Sequence, residues 1–429
     1  MAKIQSTNNP INSMYKYGPI RIVSPTIGFP TIQSPGNHFL VYLNTEPGLP
    51  VEPANCVVEL CKGERRITFT GESTVDHGSK YFWTAYLPIE KVTHITDCLY
   101  CAVVKVPNKT HEGLYDLKIT VAQKSFIQEN SVQILKTLSQ QPKFCLLADT
   151  HIGFKGYPCI NEPNIDEISI AAHAIKQVNY IHPDLVIIIG DLVDWSSKGN
   201  WRDFINLLKL FEVPVYTVVG NHDYYWDNWW IGYPPLLPAP TRCDPVALRH
   251  YIKYVNPYLS YSFDYGSYHI TCLDSGEDAV LTPVEAYGSG LSDEDMEWLK
   301  TELKDHQQNF IFMHHPVTRT DANDALKPDN QIGCITKNRV EFMELCSQNN
   351  VVAVFSGHEH KTECWHTGKV NYHILPSLTR SHEENAFLFV FTKSNGNYHT
   401  ELFNCNPSKW KEPAVGLFLP TEPVPELSF

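Results

Sequence analysis

Leu185-Val-Ile-Ile-Ile-Gly-Asp-Leu-Val-Asp194 is the stretch on which the reading of this chain turns. Its first five residues are continuously apolar and mostly β-branched. They are too few for a helix and lack the alternation of a half-exposed strand. That pattern is a strand buried on both faces, as found inside parallel sheets. A glycine and two aspartates follow at its carboxyl end. The same arrangement recurs. Phe144-Cys-Leu-Leu-Ala runs into Asp149-Thr-His151, and Val213–Val219 runs into Gly220-Asn-His-Asp223. Asn309–Met313 runs into His314-His-Pro316, and Val351–Phe355 is followed by Gly357-His-Glu-His360.

Segments with helical spacing lie between these runs: Ile165–Val178, Trp201–Leu210, Ser292–Lys304 and Asn338–Asn349. Ser292 suits an N-cap, and Asp293, Glu294 and Asp295 suit the positive end of a helix. Strand and helix alternation predicts an α/β architecture with parallel pairing. Further strand-like runs at Tyr268–Leu273, Tyr372–Leu375, Ala386–Thr392 and Tyr398–Phe403 predict a second sheet packed on the first.

Upstream of Lys143 the pattern differs. Short runs at His38–Asn44, Val57–Cys61, Arg66–Thr70, Tyr81–Leu87, Leu99–Val106, Leu114–Val121 and Val132–Leu135 are separated by turn formers, with no helical period. They predict an all-β sandwich of immunoglobulin or fibronectin type. Ser139-Gln-Gln-Pro142 reads as a linker, which places an N-terminal domain at 1–140 and a second domain at 141–429.

The 429 residues carry a formal net charge of −13, a field that repels a nucleic-acid polymer and leaves a small phosphorylated substrate as the expected partner. No apolar run reaches membrane-spanning length, and Met1–Pro10 lacks the apolar stretch of a secretion signal. A cytoplasmic protein is expected, with the β domain as a candidate surface for homo-oligomers. Cys98-Leu-Tyr-Cys101 has metal-like spacing, with Cys56 and Cys61 before it. All lie in strand-like runs, where neighbours alternate between faces and free thiols are the simpler reading.

The chemistry gathers in the five motifs, each in the place where α/β proteins assemble sites. Together they resemble the calcineurin-like metallophosphoesterases over roughly residues 143–403. Tyr261-Ser-Phe-Asp-Tyr-Gly266, Leu273-Asp-Ser-Gly276 and Trp298-Leu-Lys300 are similar as well. The resemblance implies a four-layer α/β/β/α sandwich with two mixed sheets. It also implies two transition-metal ions, Mn, Zn or Fe, divalent or mixed-valent. Asp149, His151, Asp191 and His360 would hold one ion; Asp191, Asn221, His314 and His358 would hold the other. His314, the first histidine of its motif, is taken over His315. Imidazole and carboxylate donors suit such ions, and their positive surplus binds phosphate and acidifies water.

The implied reaction is phosphoester hydrolysis by a metal-bridging hydroxide, with His222 as general acid and Asp194 as its hydrogen-bond partner. Purple acid phosphatases carry a tyrosine where this chain has Asp194, so the likeness stops short of that subgroup. His315, Tyr224, Trp226 and Trp229 are candidate substrate contacts, the aromatics forming a wall beside the site. Arg319 and Arg380 are either phosphate contacts or ion-pair partners. The wall favours a phosphodiesterase. A phosphomonoesterase and a non-catalytic metal-binding scaffold are the alternatives.

Overall fold

The computed structural model describes residues 21–70, 73–154, 166–224, 248–276, 290–304, 306, 308–318, 333–380, 385–393 and 397–405. Trp226, Trp229, Arg319 and the proline-rich stretch Ile231–Pro245 lie outside the described residues.

The N-terminal strands are β1 (Arg21–Ser24), β2 (Thr31–Gln33), β3 (His38–Asn44), β4 (Cys56–Phe69), β5 (Thr74–Tyr86), β6 (Ile89–Thr96), β7 (Leu99–Lys105), β8 (Gly113–Val121) and β9 (Lys124–Ile134). They form two sheets, ordered β1-β3-β7-β6 and β2-β9-β8-β4-β5. Alternate side chains such as Val41, Leu43, Val58, Leu60, Ala102, Val104, Leu117 and Ile119 close a shared core. The strands are longer than the seven short runs suggested. Val57–Cys61 and all but the last residue of Arg66–Thr70 belong to a single strand, β4. The charged stretch Lys62–Arg66 imitates a turn, but β4 continues through it with shifts of register against β5 at Lys62/Gly63 and Arg65/Ile67. Strand β6 escaped the sequence reading because its residues are largely exposed and show no apolar alternation. Cys56, Cys61, Cys98 and Cys101 are free thiols. Among the described residues no metal-sized cluster includes a cysteine.

The rest of the chain follows the expected alternation. It runs through β10 (Lys143–Ala148), α1 (Glu167–Ile181), β11 (Leu185–Ile189), α2 (Lys198–Leu208), β12 (Val215–Val218), α3 (Arg249–Tyr254), β13 (Tyr261–Tyr265) and β14 (Tyr268–Leu273). It continues through α4 (Asp293–Glu302), β15 (Asn309–Met313), α5 (Arg339–Gln348), β16 (Val351–Ser356), β17 (Glu363–Thr367), β18 (Val370–Ile374), β19 (Ala386–Thr392) and β20 (Tyr398–Asn404). Among the described residues no helix is long and apolar enough to cross a membrane.

Two mixed sheets result, ordered β12-β11-β10-β19-β20 and β13-β14-β15-β16-β18-β17. Strands β10, β11 and β12 are mutually parallel, as are β14, β15, β16 and β18. The sheets meet through aromatic rings. Phe144 stands edge-on to Tyr265, Tyr268 and Phe310, and Tyr216 stacks on Phe263 with centroids 4.0 Å apart. On β15 the period of two is plain. Phe310 and Phe312 join the core between the sheets, whereas Ile311 and Met313 join the core shared with Met296, Leu299, Phe342 and Leu345 of α4 and α5. Helices α1 and α2 bury Ile168, Ala171, Ile175, Trp201 and Phe204 in the core that contains β10 and β11. Ser292 caps α4 as expected, accepting from the Asp295 amide at 3.0 Å. Asp166 caps α1, and His182 ends it in a left-handed conformation just before Pro183.

After β1, residues 25–29 leave the first sheet, and Ile27 and Phe29 enter the larger core. The Gly28 amide donates to Val255, the Thr217 amide donates to Gly28, and Phe29 lies edge-on to Tyr216, Tyr258 and Tyr261. Phe29 is 4% exposed. Phe29→Ala should therefore lower stability by about 3–5 kcal/mol, the usual cost of a buried aromatic truncation, read as a lower urea midpoint at unchanged slope.

Candidate metal centre

All five motifs begin at carboxyl ends of parallel strands. Asp149 follows β10, Gly190 follows β11, and His314 follows β15. Gly220 and Gly357 stand one or two residues beyond β12 and β16. Because the two sheets stack, their loops converge on one place.

The loops are stitched by their own backbones. The amides of Asp149 and His151 donate to the carbonyls of Gly190 and Asp191, and those of Ile152 and Asp194 donate to the carbonyls of Leu192 and Ile152. Asp223 binds the second loop to the third. Its carboxylate accepts from the amides of Gly220 at 2.8 Å, Val193 at 3.1 Å and Leu192 at 3.3 Å. The hydroxyls of Ser377 and Thr379 donate to the carbonyls of Asp149 and Thr150. Asp149, His151, Asp191, His358 and His360 all have positive φ, between 41° and 73°. Non-glycine residues rarely take this conformation, and such strain collects at functional sites. Gly190 is needed for a different reason. It has φ 69°, and a Cβ there would collide with the imidazole ring of His314.

The predicted ligand set comes together as two groups of donors. In the first, Nε2 of His151 lies 3.0 Å from Nε2 of His360 and 3.5 Å from Oδ2 of Asp191, and Nε2 of His360 lies 3.4 Å from Oδ1 of Asp149. In the second, Nε2 of His314 lies 2.9 Å from Oδ1 of Asn221, 3.2 Å from Oδ1 of Asp191 and 3.3 Å from Nδ1 of His358, which is 3.1 Å from the same Asn221 oxygen. Donors held about 2.1 Å from one ion stand roughly 3.0–3.4 Å apart in octahedral or tetrahedral geometry, so both groups have the spacing of a ligand shell. Asp191 turns one oxygen to each group.

The far side of three of the four rings supports the same use. Nδ1 of His360 meets the Arg380 carbonyl at 3.1 Å, Nδ1 of His314 meets the Ile189 carbonyl at 3.4 Å, and Nδ1 of His151 meets the Asp194 carboxylate at 3.1 Å. An oxygen on Nδ1 holds the proton there and leaves the Nε2 lone pair for a cation. Burial, aided by His222, holds the pKa of His151 well below the histidine range, which keeps the ring neutral. Burial opposes a charge on His314, yet Asp191 and then Asp149 raise it to about 10. The carboxylates that attract a proton to this ring would equally attract a metal ion.

His222 lies beside the first group, its ring edge-on to His151. Its Nδ1 donates to the backbone carbonyl of Asp194 at 2.9 Å, while the Asp194 carboxylate is 3.6 Å away. The sequence led us to expect that carboxylate to accept from His222. It instead serves His151 and faces Arg380 at 3.4 Å, because pairing of Ile152 with Val193 draws the first two loops together. Burial pushes the Asp194 carboxyl up to about 6 against the pull of His222 and Arg380. Burial also opposes a charge on His222, but Asp191 and Asp194 outweigh it and raise its pKa.

Other candidates fall around this centre. His315 is fully buried, with Nδ1 2.9 Å from the Ser275 hydroxyl, and its ring lies 4.5 Å from that of His358. Tyr224 bonds through its hydroxyl to Asp274. Arg380 packs over the Phe154 ring at 3.9 Å, as well as facing Asp194. The clamping role of Asp223 was not read from sequence, although its position directly after Asn221 and His222 was a signal for it. Nothing local pointed to Ser377, Thr379 or Trp195, whose ring centroid is 5.9 Å from that of His222.

Residues 142–362, just over half of the chain, match the family model of the calcineurin-like phosphoesterases. The chain belongs to this family. It is accordingly a metal-dependent phosphoester hydrolase, and the family uses a dinuclear metal centre. A probable glycerophosphodiester phosphodiesterase of Arcobacter nitrofigilis is 26% identical over 246 residues, covering 55% of this phosphoesterase and 78% of the relative. A probable cyclic nucleotide phosphodiesterase of Synechococcus is 23% identical over 235 residues, covering 52% and 73%. Among solved structures, a purple acid phosphatase from yellow lupin aligns with TM-score 0.49 and 13% identity, covering 86% of this chain and 70% of that one.

Asp223 offers a test of the stitching. Asp223→Ala leaves three buried amides without an acceptor and frees the Asn221 loop from the Asp191 loop. The phosphoesterase should then lose metal affinity about 10–100-fold, read by metal analysis after dialysis against a graded chelator.

Proposed function

We propose that this phosphoesterase hydrolyses a small phosphodiester at a pair of transition-metal ions, with His222 supplying the proton to the leaving group. The observation that carries this reading is the position of Asp191, whose two oxygens face two donor groups of metal-like spacing. Asp149, His151, Asp191 and His360 would hold one ion, and Asp191, Asn221, His314 and His358 the other. Mn, Zn and Fe all suit these nitrogen and oxygen donors. When bound, the ion pair supplies an activated water and neutralises charge on the phosphoryl group.

The chain's own residues do the rest. Donation from Nδ1 of His222 to the Asp194 carbonyl fixes the ring beside the first donor group, and Nε2 would carry the proton passed to an ester oxygen. Asp194 holds His151 in position and adds negative potential that favours a protonated His222. His315, held by Ser275, lies beside His358 and His314, close enough to contact a phosphoryl group bound there. A diester is preferred because similar proteins are named as a probable glycerophosphodiester phosphodiesterase and a probable cyclic nucleotide phosphodiesterase. The same reading takes residues 141–429 as a catalytic domain with α/β/β/α layering and residues 1–140 as an immunoglobulin-like sandwich.

His222→Ala should retain both metals and lose about 10²–10⁴-fold in turnover, the usual contribution of a general acid. Full activity in that variant would remove the role. Asp191→Asn should deplete metal from both positions in elemental analysis. Loss from one position only would mean that Asp191 does not bridge.

A further inference from the structure

Helix α2 joins two of the motif loops. Its N-terminus follows Asp191–Asp194, and its C-terminus leads through β12 to Asn221 and His222. The first turn grips the segment that holds His222. Ser197 caps the helix by accepting from the Asn200 amide, and the Asn200 side chain donates to the Trp195 carbonyl at 3.0 Å. The indole of Trp201 donates to the Ser196 hydroxyl at 2.8 Å. Residues 194–197, including the carbonyl that receives Nδ1 of His222, therefore move with the helix.

The middle and the other end of α2 are held by the N-terminal strands. The amide and hydroxyl of Thr74, on β5, donate to Asp203 at 3.0 and 2.7 Å, and Asn206 donates back to the Thr74 hydroxyl at 3.0 Å. All three residues are buried. Lys209 is paired with Asp76 of β5 and Glu129 of β9. The side-chain amide of Asn130, on β9, donates to the carbonyls of Leu208, Lys209 and Phe211, around the point where the helix ends and where Leu208 also accepts from the Phe211 amide. Asn130 has φ 46° and is itself held by Asp116, through its own amide, and by Arg65. A left-handed residue with its amide aimed at a helix terminus is a poor choice for mere contact between two surfaces.

We infer that Thr74 and Asn130 are positioning residues for proton transfer by His222, acting through helix α2. The inference rests on the reading of His222 as general acid. It gives the N-terminal strands a defined role, because they fix the middle and far end of a rigid rod whose near end carries the Asp194 carbonyl. A misplacement of about 1 Å at a reacting group can cost 10²-fold, so small shifts of this rod matter.

The test compares two diesters on the manganese-loaded protein, methyl p-nitrophenyl phosphate and methyl phenyl phosphate. The first has a leaving group that departs without a proton, and the second needs one. Thr74→Val and Asn130→Ala should slow the phenyl ester about 10–10²-fold while leaving the nitrophenyl ester near wild type, at unchanged metal content. Thr74→Ser, which restores the hydroxyl, should behave as wild type. Should Asn130→Ala fail to fold, the Thr74 pair decides. Equal slowing of both esters in His222→Ala overturns the acid role and this inference with it. A leaving-group-dependent loss in His222→Ala, with equal or no loss in Thr74→Val, overturns this inference alone.

Discussion

The centre depends on a single buried carboxylate. Asp191 is 1% exposed, sits at the end of a fully buried strand, and has φ 46°. A charge in such a place is strongly disfavoured unless it is well paired. Asp191 is surrounded by His151, His314 and the His222 amide, which donates to its Oδ1 at 2.9 Å. Burial raises its pKa, but His314 and His222 outweigh that and hold it well below the carboxylate range. The loops after β10, β12 and β15 each contribute a group to this one residue. The two sheets must therefore stack in the register seen, or the carboxylate is left without partners.

The same constraint explains the backbone. Five ligand candidates in left-handed or near-left-handed conformation cost about 1–3 kcal/mol each. Extended backbone would send successive side chains to opposite faces of the sheet rather than gather them at its carboxyl edge. The cross-loop amide bonds, the Asp223 clamp and the Ser377 and Thr379 hydroxyls hold the strained turns in place. Gly190 and Gly357 permit the crowding, since a Cβ would collide with the His314 ring at the first and with the Asp149 carboxylate at the second.

The catalytic part of the chain could be read from sequence because its signals are local. A short apolar run followed at once by Asp, His or Asn is visible within ten residues, and β11 and β19 were found with bounds close to those observed. Helix α3 was missed because it has six residues and no side-chain cap, so it never completes an amphipathic period. Strands β4 and β5 were misread because exposed, charged residues interrupt their alternation. The rest was invisible for a different reason. Thr74 and Asp203 lie 129 residues apart, and Asn130 and Phe211 lie 81 apart. No spacing rule connects such pairs; only the packed fold does. The Asp194 carboxylate shows a middle case. The sequence places it near His222, but the choice between His222 and His151 turns on about half an ångström, set by the bridge between Ile152 and Val193.

The N-terminal strands need not touch substrate to matter. A crossover helix in an α/β fold is normally held along its length by the sheet beneath it, and its ends are free to adjust. Here one end of α2 carries residues that hold His222, and at the other Asn130 donates to the carbonyls of Lys209 and Phe211 and is a second donor, beside the Phe211 amide, to that of Leu208. Those carbonyls would otherwise be solvated by water, leaving Thr74 and the Lys209 ion pairs as the ties on that part of the helix. A side-chain amide fixed by Asp116 and Arg65 replaces mobile water with a stationary donor. Rigidity at the far end of a rod limits angular motion at the near end. A site that transfers a proton across a hydrogen-bond distance has more to gain from that restraint than one that only binds an anion.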